Sequence, residues 1–476
     1  MLQMPQIPES NAMVPVGDLI ALNKALRKAS SGDIGYQTPT DVSGGGNLSA
    51  LVPQSLEGTL SSATYTMKEL VFWPDIAKKS VGQTVHEYNV VNEHGQDLDP
   101  FLEEGGAGAN NKSTYARKFI KIKYLAERRE VTDVATMVGL VGPNSTAIAE
   151  ETQRGTLRLL QKLERSLFHA SSAVNPLAFD GVFKQMDDNA ASNSTNLDGG
   201  SCSPDLLQAI LGEVYSAPNF GRPDKIYVEP RVHTDLIRQA VAYGRHDQMK
   251  LTGASGLTFG AQHLNIMAPY GPVPICPAPF LFTGYDPPTA GAGETVAKPV
   301  DQTVAVAGSG SLFAAADAGN YFYRIVAVTK DGYSAPQTTL VAAVVAGESI
   351  TVEWDNAAAT TAKWYRIYRT DKDELVGGKY RFVTEIPAND TGAGSRTQFV
   401  DGNEIRPKTS KILLAQNDPT IMEFVRLLDF LRRPLAEVAT TKPFLLMLFG
   451  APIVKVPTKM WQIKNVGVSD STVSVG

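Results

Sequence analysis

The residues of this sequence that could do chemistry are few and far apart. Six histidines and two cysteines are spread over 476 residues. His86 and His94 bracket the run HEYNVVNEH. A helical metalloprotease site needs two histidines at i and i+4 on one helix face. Here the spacing is wrong and the setting is strand and loop. His169, His233, His246 and His263 are scattered, and each reads as a helix-end or surface residue rather than a base. Cys202 and Cys276 form no Cys-x-x-Cys pair and no disulfide framework, which points to synthesis in a reducing interior. GASGL (253–257) is not a nucleophile elbow, because glycine follows serine with no spacer. GGAGAN (105–110) lacks the Lys-Ser/Thr ending of a phosphate loop and does not lead from a buried strand into a helix. Carboxylates are abundant, but no pair stands out for acid/base work. The sequence therefore assigns no catalytic, cofactor-binding or metal-ligating residue, implies no cofactor, and does not read as an enzyme.

Composition narrows the alternatives. Apolar residues make up 43% and charged residues 20%, inside the globular range and outside the disordered, collagenous and coiled-coil classes. The length suggests two or three folding units. Forty-four basic against 49 acidic side chains leave a net charge of −5. That is not the footprint of a protein that grips nucleic acid by neutralising phosphates, so any contact with DNA should be loose. No apolar run approaches the roughly 18 residues that cross a bilayer, and the most apolar segment, Phe444 to Phe449, is strand-sized. The opening MLQMPQIPESNAMVPVGDL has no basic segment followed by an apolar stretch, so no secretory signal is read and no membrane role is expected.

The elements that would carry a function read as follows. Leu19, Leu22, Leu26 and Ala29 give one short amphipathic helix, and Ser30 to Asn47 is loop chemistry throughout. A disordered terminus and an arm that orders on a neighbouring subunit both fit this segment. Val85, Tyr88 and Val90 lie in a β-favouring run. In Phe119 to Val131 the alternation predicts that Ile120, Ile122, Tyr124 and Ala126 share a face, and that this run pairs back as an extended hairpin. Glu93, Asp97, Asp99, Glu103 and Glu104 make the outgoing half of the loop acidic, while Lys112, Arg117, Lys118, Lys121 and Lys123 make the returning half basic. A long two-stranded ribbon is marginal alone and needs a surface to rest on: another copy of the chain, or its own domain. Asn144 or Ser145 can cap a helix running to about Ala170, with Glu150 and Glu151 in its first turn and Leu160, Leu163 and Leu167 as its apolar stripe.

Residues 204 to 282 read as a compact α+β unit: a helix (Pro204 to Ala217), a strand (Lys225 to Pro230), a helix near Val232 to Tyr243, and short glycine-spaced strands. A Pro/Gly/Ala linker, Tyr285 to Pro299, then leads into Asn320 to Pro336, Glu348 to Trp354, Lys363 to Thr370, Tyr380 to Ile386 and Arg396 to Gly402. Short β-rich runs at this spacing make an antiparallel sandwich. After Pro407 mixed α/β character returns with Lys411 to Gln416, Met422 to Val438 and Lys442 to Pro457, so the sandwich reads as an insertion.

YRIYR and YFYRIVAVTKDGYSAP resemble strands of a fibronectin type III or immunoglobulin-like module, although the second run precedes the Trp354 strand, which departs from the usual order. DKIYVEPRVHTDL (224–236) and RRPLAEVATTKPFLLMLFGAPIVKVPTKMWQIKNVG (432–467), taken with the order of the elements, resemble the major capsid protein of tailed double-stranded DNA bacteriophages, the Hong Kong 97-type fold. The implied fold class is α+β, with N-arm, E-loop hairpin, spine helix, A-domain and P-domain and an inserted all-β sandwich. The implied division is 1–79 for the arm and the segment leading in, 80–131 for the E-loop, and 132–203 for the spine helix and part of the P-domain. The A-domain would span 204–282, the sandwich 283–410, and the return with its closing strands 411–476.

The resemblance implies an icosahedral shell of many copies, as hexamers and pentamers, assembled in the host cytoplasm and resident in the virion. It also implies a separate scaffolding protein, a portal and a decoration protein, with loose non-specific contact to packaged DNA and no membrane. Lys112, Asn110 and Asn111 lie where some members form a Lys–Asn crosslink, but neither partner nor assisting Glu is identifiable, so none is assigned. An encapsulin-like compartment and a glycan-binding adhesin acting through the sandwich are the other readings.

Overall fold

The computed structural model describes residues 66–468 apart from 96–98, 100, 105, 109, 138–145, 244–264, 282–286, 288–297, 309, 330–331, 338–339, 356–361, 389–391, 393–395 and 438–439. The Leu19 to Ala29 helix, the Ser30 to Asn47 loop, the proposed caps Asn144 and Ser145, GASGL, His246, His263 and most of the 285–299 linker lie outside these residues.

In chain order, a short helix α1 (Phe72–Asp75) precedes strands β1 (Ala77–Ser80), β2 (Val85–Glu93), β3 (Thr114–Lys121) and β4 (Lys123–Thr132). Helices α2 (Asp133–Met137), α3 (Ala147–His169) and α4 (Val182–Asn189) follow, then β5 (Ser194–Asn196), α5 (Pro204–Tyr215), β6 (Lys225–Val228), α6 (Pro230–Tyr243), β7 (Asn265–Ala268) and β8 (Gly271–Pro277). The rest is strand: β9 (Val300–Ala307), β10 (Gly319–Val328), β11 (Leu340–Val344), β12 (Ser349–Asp355), β13 (Trp364–Arg369), β14 (Arg381–Pro387) and β15 (Thr397–Asp401). Last come β16 (Thr409–Ala415), β17 (Met422–Pro434), β18 (Thr441–Val454) and β19 (Trp461–Gly467).

The long helix forms where its sequence signals sit. Thr146 is its cap, its hydroxyl accepting the Ala149 amide at 3.4 Å. Leu159, Leu160, Leu163, Leu167 and Phe168 bury one stripe. At 1.5 Å per residue the helix is roughly 35 Å long. Its stripe packs on a sheet ordered β1-β17-β18-β4. Gly155 makes the approach close: a Cβ there would stand 2.6 Å from Leu446 Cδ1 on β18.

A second core lies under the sheet β5-β19-β16-β6-β8-β7, where Leu207, Leu211 and Val214 of α5 meet Ile226, Ile412 and Ile463. Between Val300 and Asp401 two further sheets, β11-β10-β13-β14 and β15-β12-β9, enclose a third core. Trp354 is fully buried in it, edge-on to Tyr365 at 5.1 Å between ring centroids. Strands β9 and β11 complete these sheets beyond the runs that the sequence suggested.

Two expectations need correction. The hairpin is shorter than predicted: β2 pairs with β3 from Val85↔Lys121 to Glu93↔Thr114, but beyond Ile122 the chain leaves it and β4 pairs with β18, Lys123↔Gly450 to Thr132↔Thr441. Ile122, buried against Val425 and Ile453, is the pivot. The break between β3 and β4 also resets the alternation. Ile120 and Ile122 point inward, whereas Tyr124 and Ala126 face outward and Leu125, Glu127, Arg129 and Val131 take the inner face. The second correction is that inversion of faces; Met422 to Pro434, in the region read as mixed α/β with closing strands, supplies one of those strands. It is a 13-residue strand, because burial between β1 and β18 overrides the helix-forming residues of its sequence.

Candidate functional site

The residues singled out for chemistry stay apart. His86 is half-buried on the hairpin, with its affinity for a proton lowered by burial first and then by Lys79; His94 is exposed near the loop. His169 lies at the end of α3 with Nε2 2.8 Å from the Leu281 carbonyl oxygen. Burial, and then the Lys411 charge, push its pKa down to about 3, so it is a neutral donor. His233 is likewise lowered by burial. Cys202 is buried and its thiol is pushed up to about 12, which removes the thiolate a nucleophile needs. Lys112 and Asn110 are exposed loop residues. Among the described residues no group of three His, Cys, Asp or Glu side chains is placed to hold a metal, and no helix is long and apolar enough to cross a membrane.

What the fold does bring together is uncovered apolar surface on extended elements. Because side chains alternate across a strand, β2 and β3 share two faces. One face is set against the body: Tyr88 and Ile120 pack on Ile122, Val425 and Ile453. The other carries Val85, Val91, Tyr115 and Phe119, with Tyr115 72% and Phe119 66% exposed. Val91 stands directly across from Tyr115, and Glu87 across from Phe119. At the loop Phe101 is 86% exposed, beside the exposed acids Asp99, Glu103 and Glu104. Large apolar side chains left open on a ribbon that is marginal alone mark an association surface.

The basic stem is only partly free. Lys118 Nζ reaches Asn189 Oδ1 at 3.3 Å, which braces the ribbon on its own body, and Lys123 Nζ, at the start of β4 just past the ribbon, donates to the Pro176 carbonyl at 2.5 Å. Arg117 and Glu87 pair across the strands at 3.4 Å. A second open surface is the outer edge of β17. Past Arg426 its only partner among the described residues is β18, and Leu431 is exposed.

The least legible feature was Glu164. Its side chain is 1% exposed and accepts three backbone amides at the start of α1: Val71 at 3.0 Å, Phe72 at 2.6 Å and Trp73 at 2.7 Å. This carboxylate ties the chain entering the fold to the long helix. The available signal was a lone acid beside Leu160, Leu163 and Leu167 on the apolar stripe, which must find donors.

No family model matches the chain. It is 22% identical over 448 residues to the protein described as "Major capsid protein" of Staphylococcus phage K, covering 88% of this chain and 90% of that one. The same description, identity and coverage hold for the protein of Staphylococcus phage S25-3. Among solved structures, the capsid of a native GTA particle aligns with 90% of this chain and 99% of its own at 9% identity and a TM-score of 0.45.

Proposed function

We propose that this protein is the major capsid protein of a tailed double-stranded DNA bacteriophage, a structural subunit that self-assembles into the icosahedral shell around the genome and resides in the virion. The observation that carries this reading is the alignment with phage major capsid proteins along nearly the whole of both chains. The exposed apolar face of the β2–β3 ribbon supports it, since a thin shell draws its cohesion from contacts between copies, and obligate interfaces bury more than roughly 2,000 Å².

The finer parts of the reading are these. Copies form hexamers and pentamers in the host cytoplasm with a separate scaffolding protein and a portal. A decoration protein can bind outside, and the acidic net charge keeps contact with packed DNA loose. The 283–410 segment is an inserted module on the outer surface, where two facing sheets with their own core obstruct no lattice contact.

Electron microscopy and sedimentation of the full chain, expressed with and without a scaffold, test the reading. Large closed particles are expected. The double variant Tyr115→Ser/Phe119→Ser should keep the wild-type circular dichroism and melting temperature, because both side chains are exposed, yet stop at small species. A wild-type chain that stays a monomer overturns the function. A variant that assembles normally overturns the role of the ribbon face.

A further inference from the structure

A cleft of about 470 Å³ opens between α3 and the β13–β14 edge of the sandwich. That volume is within the range of small-molecule sites. Its lining gathers five cations from four elements: Lys162 and Arg165 on α3, Lys184 on α4, Arg366 on β13 and Lys411 on β16. Two carboxylates, Asp187 and Glu385, also line it. Both are engaged: Asp187 by Lys464 at 2.6 Å and by the Gln462 amide at 2.6 Å, and Glu385 by Arg366 at 2.8 Å. Lys184 pairs with Asp188.

Among the described residues, Lys162 and Lys411 have no ion pair. Lys411 Nζ stands 5.0 Å over the Phe183 ring. Loss of water between the cleft walls, and then the Arg366 and Arg165 guanidiniums, hold Lys162 below the ordinary lysine range. Lys411 is held down by burial, with Asp187 opposing the shift and Lys464 adding to it. Folding has thus gathered more positive than negative side chains in one concave place, an arrangement that an anion would relieve.

We propose that this cleft binds a compact phosphate-bearing polyanion of the size and charge of a triphosphate. Several negative charges within one small volume match this group of cations, two of them already paired with carboxylates, better than a single carboxylate would. The guanidinium forks of Arg165 and Arg366 suit phosphate oxygens, and the two unpaired ammonium groups act as point charges beside them. The ligand would bridge α3 to the sandwich.

The test is isothermal titration and thermal shift on the full chain with sodium tripolyphosphate, ATP and citrate. Saturable binding of tripolyphosphate or ATP, weakening as salt rises, is expected. Binding by ATP alone would place the source as a nucleotide, and binding by both would place it in the phosphates; either supports the proposal. Lys162→Gln should weaken binding roughly tenfold, and Lys162→Gln/Lys411→Gln more, since each removes a charge-assisted contact. Lys162 lies at the cleft's open side and makes no ion pair with a described residue, so the single variant remains informative if the double one misfolds. No binding at millimolar ligand, citrate binding as well as tripolyphosphate, or unchanged affinity in Lys162→Gln would each overturn it.

Discussion

Replacing Glu164 by Gln should release the start of α1 from the long helix. In the native chain one carboxylate oxygen takes the Val71 and Phe72 amides and the other takes the Trp73 amide, at 2.6 to 3.0 Å. Hydrogen bonds to a charged group contribute about 1.5–3 kcal/mol each, against about 1 kcal/mol for neutral ones. Glutamine keeps one acceptor oxygen, so two bonds weaken by about 1 kcal/mol each. Its amide nitrogen then faces the Trp73 N–H, donor against donor, in a site 1% exposed. Losing that bond and leaving donors unsatisfied costs a further 1–3 kcal/mol or so. The sum is about 3–5 kcal/mol, local to residues 71–73 and the Phe72 side chain, which is buried between Phe168 at 4.6 Å and Tyr227 at 5.0 Å between ring centroids. Native-state hydrogen exchange is the direct assay: the Val71, Phe72 and Trp73 amides should exchange about a hundredfold to a thousandfold faster, while amides of β18 hold their protection. Rates within threefold of wild type at all three positions would refute the reasoning.

Two further outcomes follow from buried charge and proton balance. His169 has an ordinary pKa near 6.5 when unfolded and about 3 when folded. Because the folded value is depressed, its neutral form adds stability that is complete above the unfolded value and lost as pH falls toward the folded one. Between pH 6.5 and 4.5 that loss is up to about 2 kcal/mol. His169→Gln, which retains a donor for the Leu281 carbonyl, should melt with a shallower pH dependence over that window; equal slopes would remove His169 as the cause. In the sandwich, Arg369 is 2% exposed and donates to Asp401 Oδ2 at 2.5 Å and to Asn403 Oδ1 at 2.8 Å, while the Tyr323 hydroxyl donates to the same Asp401 oxygen at 2.6 Å. Arg369→Met leaves Asp401 charged and buried and should cost about 3–5 kcal/mol in chemical denaturation. Arg369→Met/Asp401→Leu should recover most of it, and no recovery would argue against an unpaired charge as the source.

Features with a local cause were readable in advance. The helix ending at Ala170 follows from its apolar stripe and its ordered charges, although the cap is Thr146 rather than a residue before it. The β2–β3 ribbon and the β-runs between Asn320 and Gly402 follow from alternation. The reading failed where distant partners decide. Alternation through Ile122 looked continuous, yet β4 belongs to β18, more than three hundred residues away, and the face of every residue after the pivot is inverted. Of the two supports left open for the ribbon's basic stem, its own domain takes part: Lys118 reaches Asn189, and Lys123, just past the ribbon on β4, reaches Pro176.

Taken alone, the amino-acid order determined the periodic elements, the acidic balance and the split of charge between the two halves of the ribbon loop, because each can be read from composition or from neighbours close along the chain. Tertiary structure decided which strands pair, where Glu164 finds its three donors, and that Lys162, Arg366 and Lys411 line one cleft. Those outcomes come from long-range burial and charge placement, whose energies belong to pairs of segments and have no signature in either segment by itself.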